Sequence, residues 1–364
     1  MLVRMVWLFV VVVGVRFLLP LLIPLYPLPA IVACLVVDAV DQTVFQAFGY
    51  DPPGYQGYDK AMDVYYLAIA YLSTLRNWVS PGAFQVSQFL YFYRLVGVVA
   101  FELLQSRVLL LIFPNTFEYF FIAYEAVRSR WDPVRFVRRW WIVVAGLIWV
   151  FVKLPQEYWI HVAQLDVTDT LAEYDWAWPL LIGLLTVLAA VLWFVVRPRL
   201  PEPDWPLRIT PDPLPAEMDT AAERAAWRAD TARVRSEVTI EKVVLVGLLS
   251  VIFAQTVPGV RASNLELLVG ISVLVVLNAA VVLAAARRGR STESLLVAFG
   301  VRIALNVGLV LVARVLLGPR DIDEGAAFFF VLLLSLLTTL HDAWQPVHAY
   351  RARHEVRTTP PRLG

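Results

Sequence analysis

Four aspartates near the N-terminus are the residues of this sequence best placed to do chemistry. Asp38 and Asp41 are three apart in one apolar stretch and share a helix face; Asp59 and Asp63 are four apart at the start of the next and share another. A short loop between two such helices brings four carboxylates together. Ionisable groups at bilayer depth cost about 2.5–3.5 kcal/mol each on insertion scales, and close carboxylates repel unless a proton or a cation lies between them. The nearest cation in sequence is Lys60. Four oxygen donors suit Mg²⁺, Mn²⁺ or Ca²⁺ rather than zinc or copper, so Asp38, Asp41, Asp59 and Asp63 are the expected metal ligands. The competing reading leaves Asp59 and Asp63 on a solvated loop and helix start with Asp51, and puts Asp38 and Asp41 near an interface or pairs them with Arg94.

The other candidates are weaker. Arg94 and Glu102 lie two turns apart in one apolar stretch and are expected to meet other helices; Arg94 suits an ion pair with an Asp or contact with an anionic headgroup. Glu118 and Glu125, at i and i+7, read as the solvated face of an interfacial helix or as the lining of a polar cavity. Arg302 and Asn306 share a face and are expected to hydrogen-bond across a helix bundle. His161, His341, His348 and His354 are scattered without metal-ligand spacing. There is no Walker-type glycine loop and no G-x-S-x-G elbow. Cys34, the single cysteine, excludes an intramolecular disulfide and a cysteine-cluster metal site.

The elements that must position these residues are membrane helices. The 364 residues are 59% hydrophobic and 17% charged, with a mean hydropathy of +0.66, which excludes an ordinary soluble domain and points to an all-α, polytopic membrane protein. Balanced charge, 31 basic against 30 acidic residues, argues against nucleic acid as a partner and leaves membrane lipids. Roughly 20 apolar residues cross a bilayer core, and that ruler places spans near 5–25, 29–48, 60–78, 84–106, 139–157, 177–197, 240–259, 264–286, 294–317 and 325–341. The first reads as a retained span, since the apolar run continues past Arg16 with no small-residue cleavage site. Residues 107–127 are interrupted by Pro114, Asn115 and Thr116 and read equally as a broken, interfacial or re-entrant segment, so the total is about ten.

Pro-rich composition from Arg197 and an Ala/Glu/Arg-rich helix from about Ala216 mark a soluble linker. The expected organisation is an N-terminal membrane bundle over 1–197, the linker over 198–239, and a C-terminal four-helix bundle with a basic tail over 240–364. Arginine clusters around 128–139, 197–208, 287–290 and 351–362 alternate with acidic loops at 153–176 and 318–324. From residue 128 on, the alternation predicts a multi-pass protein of the cell membrane with a cytoplasmic C-terminus; if 107–127 crosses, loop 49–59 is external, and if it does not, as expected here, that loop and the N-terminus are cytoplasmic too. Trp140, Trp141, Trp159, Trp176 and Trp178, near span ends, are expected at membrane interfaces.

The acid pattern resembles that of the CDP-alcohol phosphotransferases, which carry D-x-x-D-G-x-x-A-R, eight residues, then G-x-x-x-D-x-x-x-D across their second and third membrane helices. Counting from Asp38 and Asp41, that spacing predicts Asp59 and Asp63, and both are present. The run Arg16 to Leu25, then Pro27-Leu28-Pro29 and a second apolar helix, is also similar. Gln42 replaces the family's first Gly, Phe45 its Ala, Gln46 its Arg and Tyr55 its second Gly, so the likeness, over roughly residues 10–130, holds at the metal and fails at the nucleotide. The resemblance implies that the four acids hold Mg²⁺ or Mn²⁺, that Asp63 is also the catalytic base, and that the protein is a divergent membrane transferase moving a substituted phosphate to an alcohol acceptor, with a lipid or polyol substrate. The alternative is a non-catalytic multispan protein, a transporter or assembly partner, with the acids as a cation site or structural junction. Homo-oligomerisation is compatible with both.

Overall fold

A computed structural model describes residues 2–49, 55–159, 170–231 except 172, 236–256, 264–289, 294–317 and 324–358, and among these there is no strand. The N-terminal half consists of α1 (Leu2–Leu18), α2 (Pro27–Ala47), α3 (Tyr55–Asn77), α4 (Pro81–Leu104), α5 (Val108–Ile112), α6 (Thr116–Arg128), α7 (Arg138–Ile148), α8 (Leu154–Glu157) and α9 (Ala177–Ala190). The linker contributes α10 (Ala221–Thr231). The C-terminal half consists of α11 (Glu237–Thr256), α12 (Asn264–Arg287), α13 (Leu295–Leu317) and α14 (Glu324–Thr358).

Four stretches among the described residues are long and apolar enough to cross a membrane: 81–104, 108–128, 138–157 and 328–354. That is fewer than the ten expected. The segments 7–22, 177–187, 272–287 and 295–311 are apolar but shorter, and α3 is diluted by Asp59, Lys60, Asp63, Arg76 and its hydroxyl-bearing residues. Large side chains are exposed all along α7 and α9, including Val143, Leu184 and Val187. Such a continuous apolar surface is costly in water and natural in lipid.

Local chemistry explains the breaks. Pro20 lies in a 3₁₀ turn over Leu19–Leu22 that ends α1. Ser80 caps α4, its hydroxyl accepting from the Ala83 N–H at 3.4 Å, with Pro81 following where no N–H is needed. The interruption expected within 107–127 is real: α5 stops at Ile112 and α6 starts at Thr116. Gly97 makes room for it, because a Cβ there would lie 2.1 Å from Cβ of Phe113. Arg94 donates to the Phe113 carbonyl at 3.0 Å, satisfying a backbone group that the break frees.

Packing is continuous across the linker. One core joins Tyr65, Ile69 and Leu72 of α3 and Phe117 and Phe121 of α6 to Leu249 and Phe253 of α11 and Leu333 and Leu337 of α14. The Pro-rich part of the linker has no helix over 200–215 and is tied down as a strap. Trp131 Nε1 donates to the Pro201 carbonyl at 3.0 Å, Trp205 Nε1 to the Arg128 carbonyl at 3.0 Å, and Arg128 Nη1 to the Thr210 carbonyl at 2.9 Å. Asp204 accepts from the Asp132 N–H at 2.8 Å and from Arg135 at 2.9 Å.

Candidate functional site: an acid centre around Arg16

The four aspartates converge. Their helices α2 and α3 lie beside α1, and the centre of the cluster is Arg16 of α1, which is 5% exposed. Nη1 donates to Asp41 at 2.5 Å and to Asp59 at 2.7 Å; Nη2 donates to Asp63 at 3.0 Å and to Asp38. A guanidinium carries four hydrogens on its two terminal nitrogens, so each carboxylate receives one. Tyr65 fixes α1 at this height, its hydroxyl donating to the Phe17 carbonyl at 3.0 Å while its ring stacks on Phe17 at 5.0 Å. Asp41 is buried, whereas the side chains of Asp59 and Asp63 are 35% and 39% exposed, so the centre opens on the α3 side. Beside Arg16, Cys34 of α2 and Met62 and Tyr66 of α3 help line a void of about 10 Å³, room for no more than a single water.

Lys60, the nearest cation in sequence, is not the one paired with the acids. Residue 60 is rotated about 100° from residue 59 on the helix, and Lys60 pairs with Glu102 at 3.1 Å, over the Phe101 ring. Arg94 is spent on the Phe113 carbonyl rather than on an Asp. The cation that matters, Arg16, lies 22 residues before the first acid. Its signal in the sequence was being a lone charge inside the first apolar run.

Of the two readings of Glu118 and Glu125, a solvated face or the lining of a polar cavity, the solvated face is corrected. The two residues are 3% and 0% exposed. Glu118 accepts from the Tyr66 hydroxyl and from Asn115 Nδ2 at 2.9 Å, which links the acid centre's wall to the α5–α6 break. Glu125 accepts from Trp78 Nε1 at 2.8 Å and from Arg128 Nε at 2.6 Å. In a bundle bordered by lipid, the polar face of a helix turns inward. Arg302 and Asn306 do bond across the C-terminal bundle: Asn306 joins Asn278 at 2.7 Å and Ser335 at 2.9 Å. His341 and His348 lie within α14, His348 against the Phe84 ring; His161 is outside the described residues. Trp141, expected at an interface, is fully buried beside Phe120 and Tyr124.

The donor set fits a hard cation. Asp38, Asp59 and Asp63 each offer an oxygen within 4.8 Å of the others. Adjacent ligands of an octahedral Mg²⁺ or Mn²⁺ lie about 2.9 Å apart and opposite ones about 4.2 Å, so an ion would draw these oxygens together and would require Arg16, which now lies among them, to withdraw. On the side where the family's nucleotide would lie, Phe45 is 1% exposed and faces Phe9 of α1 with ring centroids 6.2 Å apart, so it serves as core between two helices. Comparison of the chain with family models, with curated proteins and with solved structures finds no match.

Proposed function

We propose that this protein is a divergent metal-dependent membrane transferase of the CDP-alcohol phosphotransferase type, moving a substituted phosphate to an alcohol. The observation that carries the reading is the convergence of Asp38, Asp41, Asp59 and Asp63 from two helices onto one point, at the spacing that the resemblance requires. When all four are ionised, Arg16 leaves a formal charge of −3, enough to attract a divalent cation. Asp38, Asp41 and Asp59 would hold the ion, which polarises the phosphate under attack. Asp63, on the open side, would complete the ligand set and take the acceptor hydroxyl's proton. Arg16 would then move from the centre to one edge, where its fork suits a phosphate oxygen as well as a carboxylate. With Gln46 in place of the family's Arg, the donor's head differs from CDP.

The supporting topology is ten spans, with the N-terminus, the loop before α3, the linker and the C-terminus cytoplasmic, so that the acid centre faces the compartment of a soluble or nucleotide-linked donor. The arginine clusters support its C-terminal half, and the break between Ile112 and Thr116 supports leaving 108–128, itself long and apolar enough to cross, out of the count. A second reading, a structural junction, is favoured by Arg16 itself, which already satisfies all four acids. Mn²⁺ titration followed by electron paramagnetic resonance separates the two. Binding by wild type that Asp38→Asn and Asp63→Asn abolish supports the transferase reading; absence of binding in both wild type and Arg16→Met leaves the junction.

A further inference from the structure

A second charged centre lies in the C-terminal half, and its imbalance has the opposite sign. Asp342 of α14 accepts from Lys242 of α11 on Oδ1 and from Arg302 of α13 on Oδ2 at 2.6 Å, while Arg228 of α10 donates to the Asp342 carbonyl. Lys242 and Arg302 are 5% and 7% exposed. Three cations therefore surround one carboxylate, and Nη1 of Arg302 is buried with no hydrogen-bond partner among the described residues. A buried donor and an uncompensated positive charge are both costly, and an acceptor-rich anion relieves both.

There is room for one. Two cavities of about 330 and 230 Å³ meet at Arg228 and Asp342. Lys242 and Arg353 line the larger and Arg224 and Arg302 the smaller; the acids on their walls are Asp342 and Glu237. Five cations thus face two carboxylates. The smaller cavity continues along Val281, Leu295 and Val301, which are 49%, 41% and 63% exposed on the outer surface of α12 and α13. A cationic pocket running into an apolar wall is shaped for an amphiphile, head inward and chain along the helices.

We propose that this pocket binds a phosphate group, carried by an anionic phospholipid or by a free phosphorylated molecule, with the lining side chains Arg302, Lys242 and Arg228 as its donors. The helix α10 closes the site, so the linker is held against the C-terminal bundle by the ligand as well as by its own contacts. The site needs no metal and is independent of the acid centre.

The test is thermal stability and native mass spectrometry of the full chain in EDTA, titrated with inorganic phosphate, glycerol 3-phosphate, phosphatidylglycerol or phosphatidylcholine. One phosphatidylglycerol per chain, with stabilisation by that lipid and not by phosphatidylcholine, identifies the lipid source; saturation by inorganic phosphate or glycerol 3-phosphate identifies the free one. In either case Arg302→Gln weakens binding at least tenfold. Asp342→Asn, which frees two donors, strengthens it, an effect that loss of a merely structural ion pair does not produce. Arg353→Gln, at a cavity wall and over the Trp227 ring at 5.0 Å, gives a several-fold loss and serves if Arg302→Gln fails to fold. The proposal is overturned if inorganic phosphate, glycerol 3-phosphate and phosphatidylglycerol all fail to stabilise wild type, if phosphatidylcholine stabilises it as well as phosphatidylglycerol does, or if Arg302→Gln, or Arg353→Gln in its place, responds as wild type does.

Discussion

Replacing Arg16 by Met keeps the length and apolar stem of the side chain and removes the charge at the acid centre. At an effective dielectric of about 20, two carboxylates at the 4.8 Å limit that bounds the Asp38, Asp59 and Asp63 oxygens repel by about 3.5 kcal/mol. Three such repulsions amount to on the order of 10 kcal/mol, comparable to the roughly 5–15 kcal/mol that holds a typical domain folded. Wild type offsets this with four ion pairs from one guanidinium. Without it the cluster must take up protons, spread apart or bind another cation, so in EDTA Arg16→Met is expected to lose about 3–5 kcal/mol, the usual consequence of removing one side of a buried pair. Mg²⁺ or Mn²⁺ should then stabilise Arg16→Met more than wild type, because the ion enters a vacated centre instead of competing with a bound guanidinium. Chemical denaturation in detergent, with and without 5 mM Mg²⁺, on the order of what saturates a millimolar site, reads both effects. The reasoning is refuted if Arg16→Met is as stable as wild type in EDTA, or if Mg²⁺ acts equally on both.

The remaining expectations can be checked one at a time. Gly97→Ala should cost at least about 1–3 kcal/mol and loosen the α5–α6 break, seen as a lowered melting temperature, because its Cβ would overlap Phe113 at 2.1 Å. The Asp132 N–H bond, with Arg135 beside it, holds the Asp204 carboxyl below the ordinary carboxylate range. Its contribution is therefore fully present above the ordinary value of about 3.9 and fades as pH falls through the lower value of the docked strap; Trp131 and Trp205 fluorescence should report release only on acidification below about 4, and Asp204→Asn should remove that transition. Cysteine at Gln56 in a Cys34-free background should be labelled from the cytoplasmic side only, and labelling from outside would defeat the N-terminal half of the proposed topology. CMP should bind weakly in the presence of Mn²⁺, since loss of a charged bidentate contact at Gln46 is worth about 1.5–3 kcal/mol; tight binding would return the donor to CDP.

How far the sequence reaches toward this structure differs from residue to residue for physical reasons. The meeting of the four aspartates was legible because i, i+3 and i, i+4 spacings fix a helix face whatever the tertiary contacts, and a short connection forces two such helices to be neighbours. The α5–α6 break was legible because Pro114 cannot donate a backbone hydrogen bond. Arg16, by contrast, belongs to a third helix, and Lys242 meets Asp342 across 100 residues, so which cation reaches which acid is settled only by how whole helices pack. The burial of Glu118 and Glu125 was read with the wrong solvent in mind: outside a bundle in lipid there is no water to receive a polar face. The pairings themselves then separate into two kinds. Lys60 with Glu102 is one charge for one charge, and nothing further is required there. The centre at Arg16 has one cation for four acids, and the centre at Asp342 three cations for one acid. Neither excess is needed to hold helices together, since a matched pair does that at lower cost. The imbalance, more than the presence of charge in an apolar chain, is the ground on which the two centres are proposed as sites.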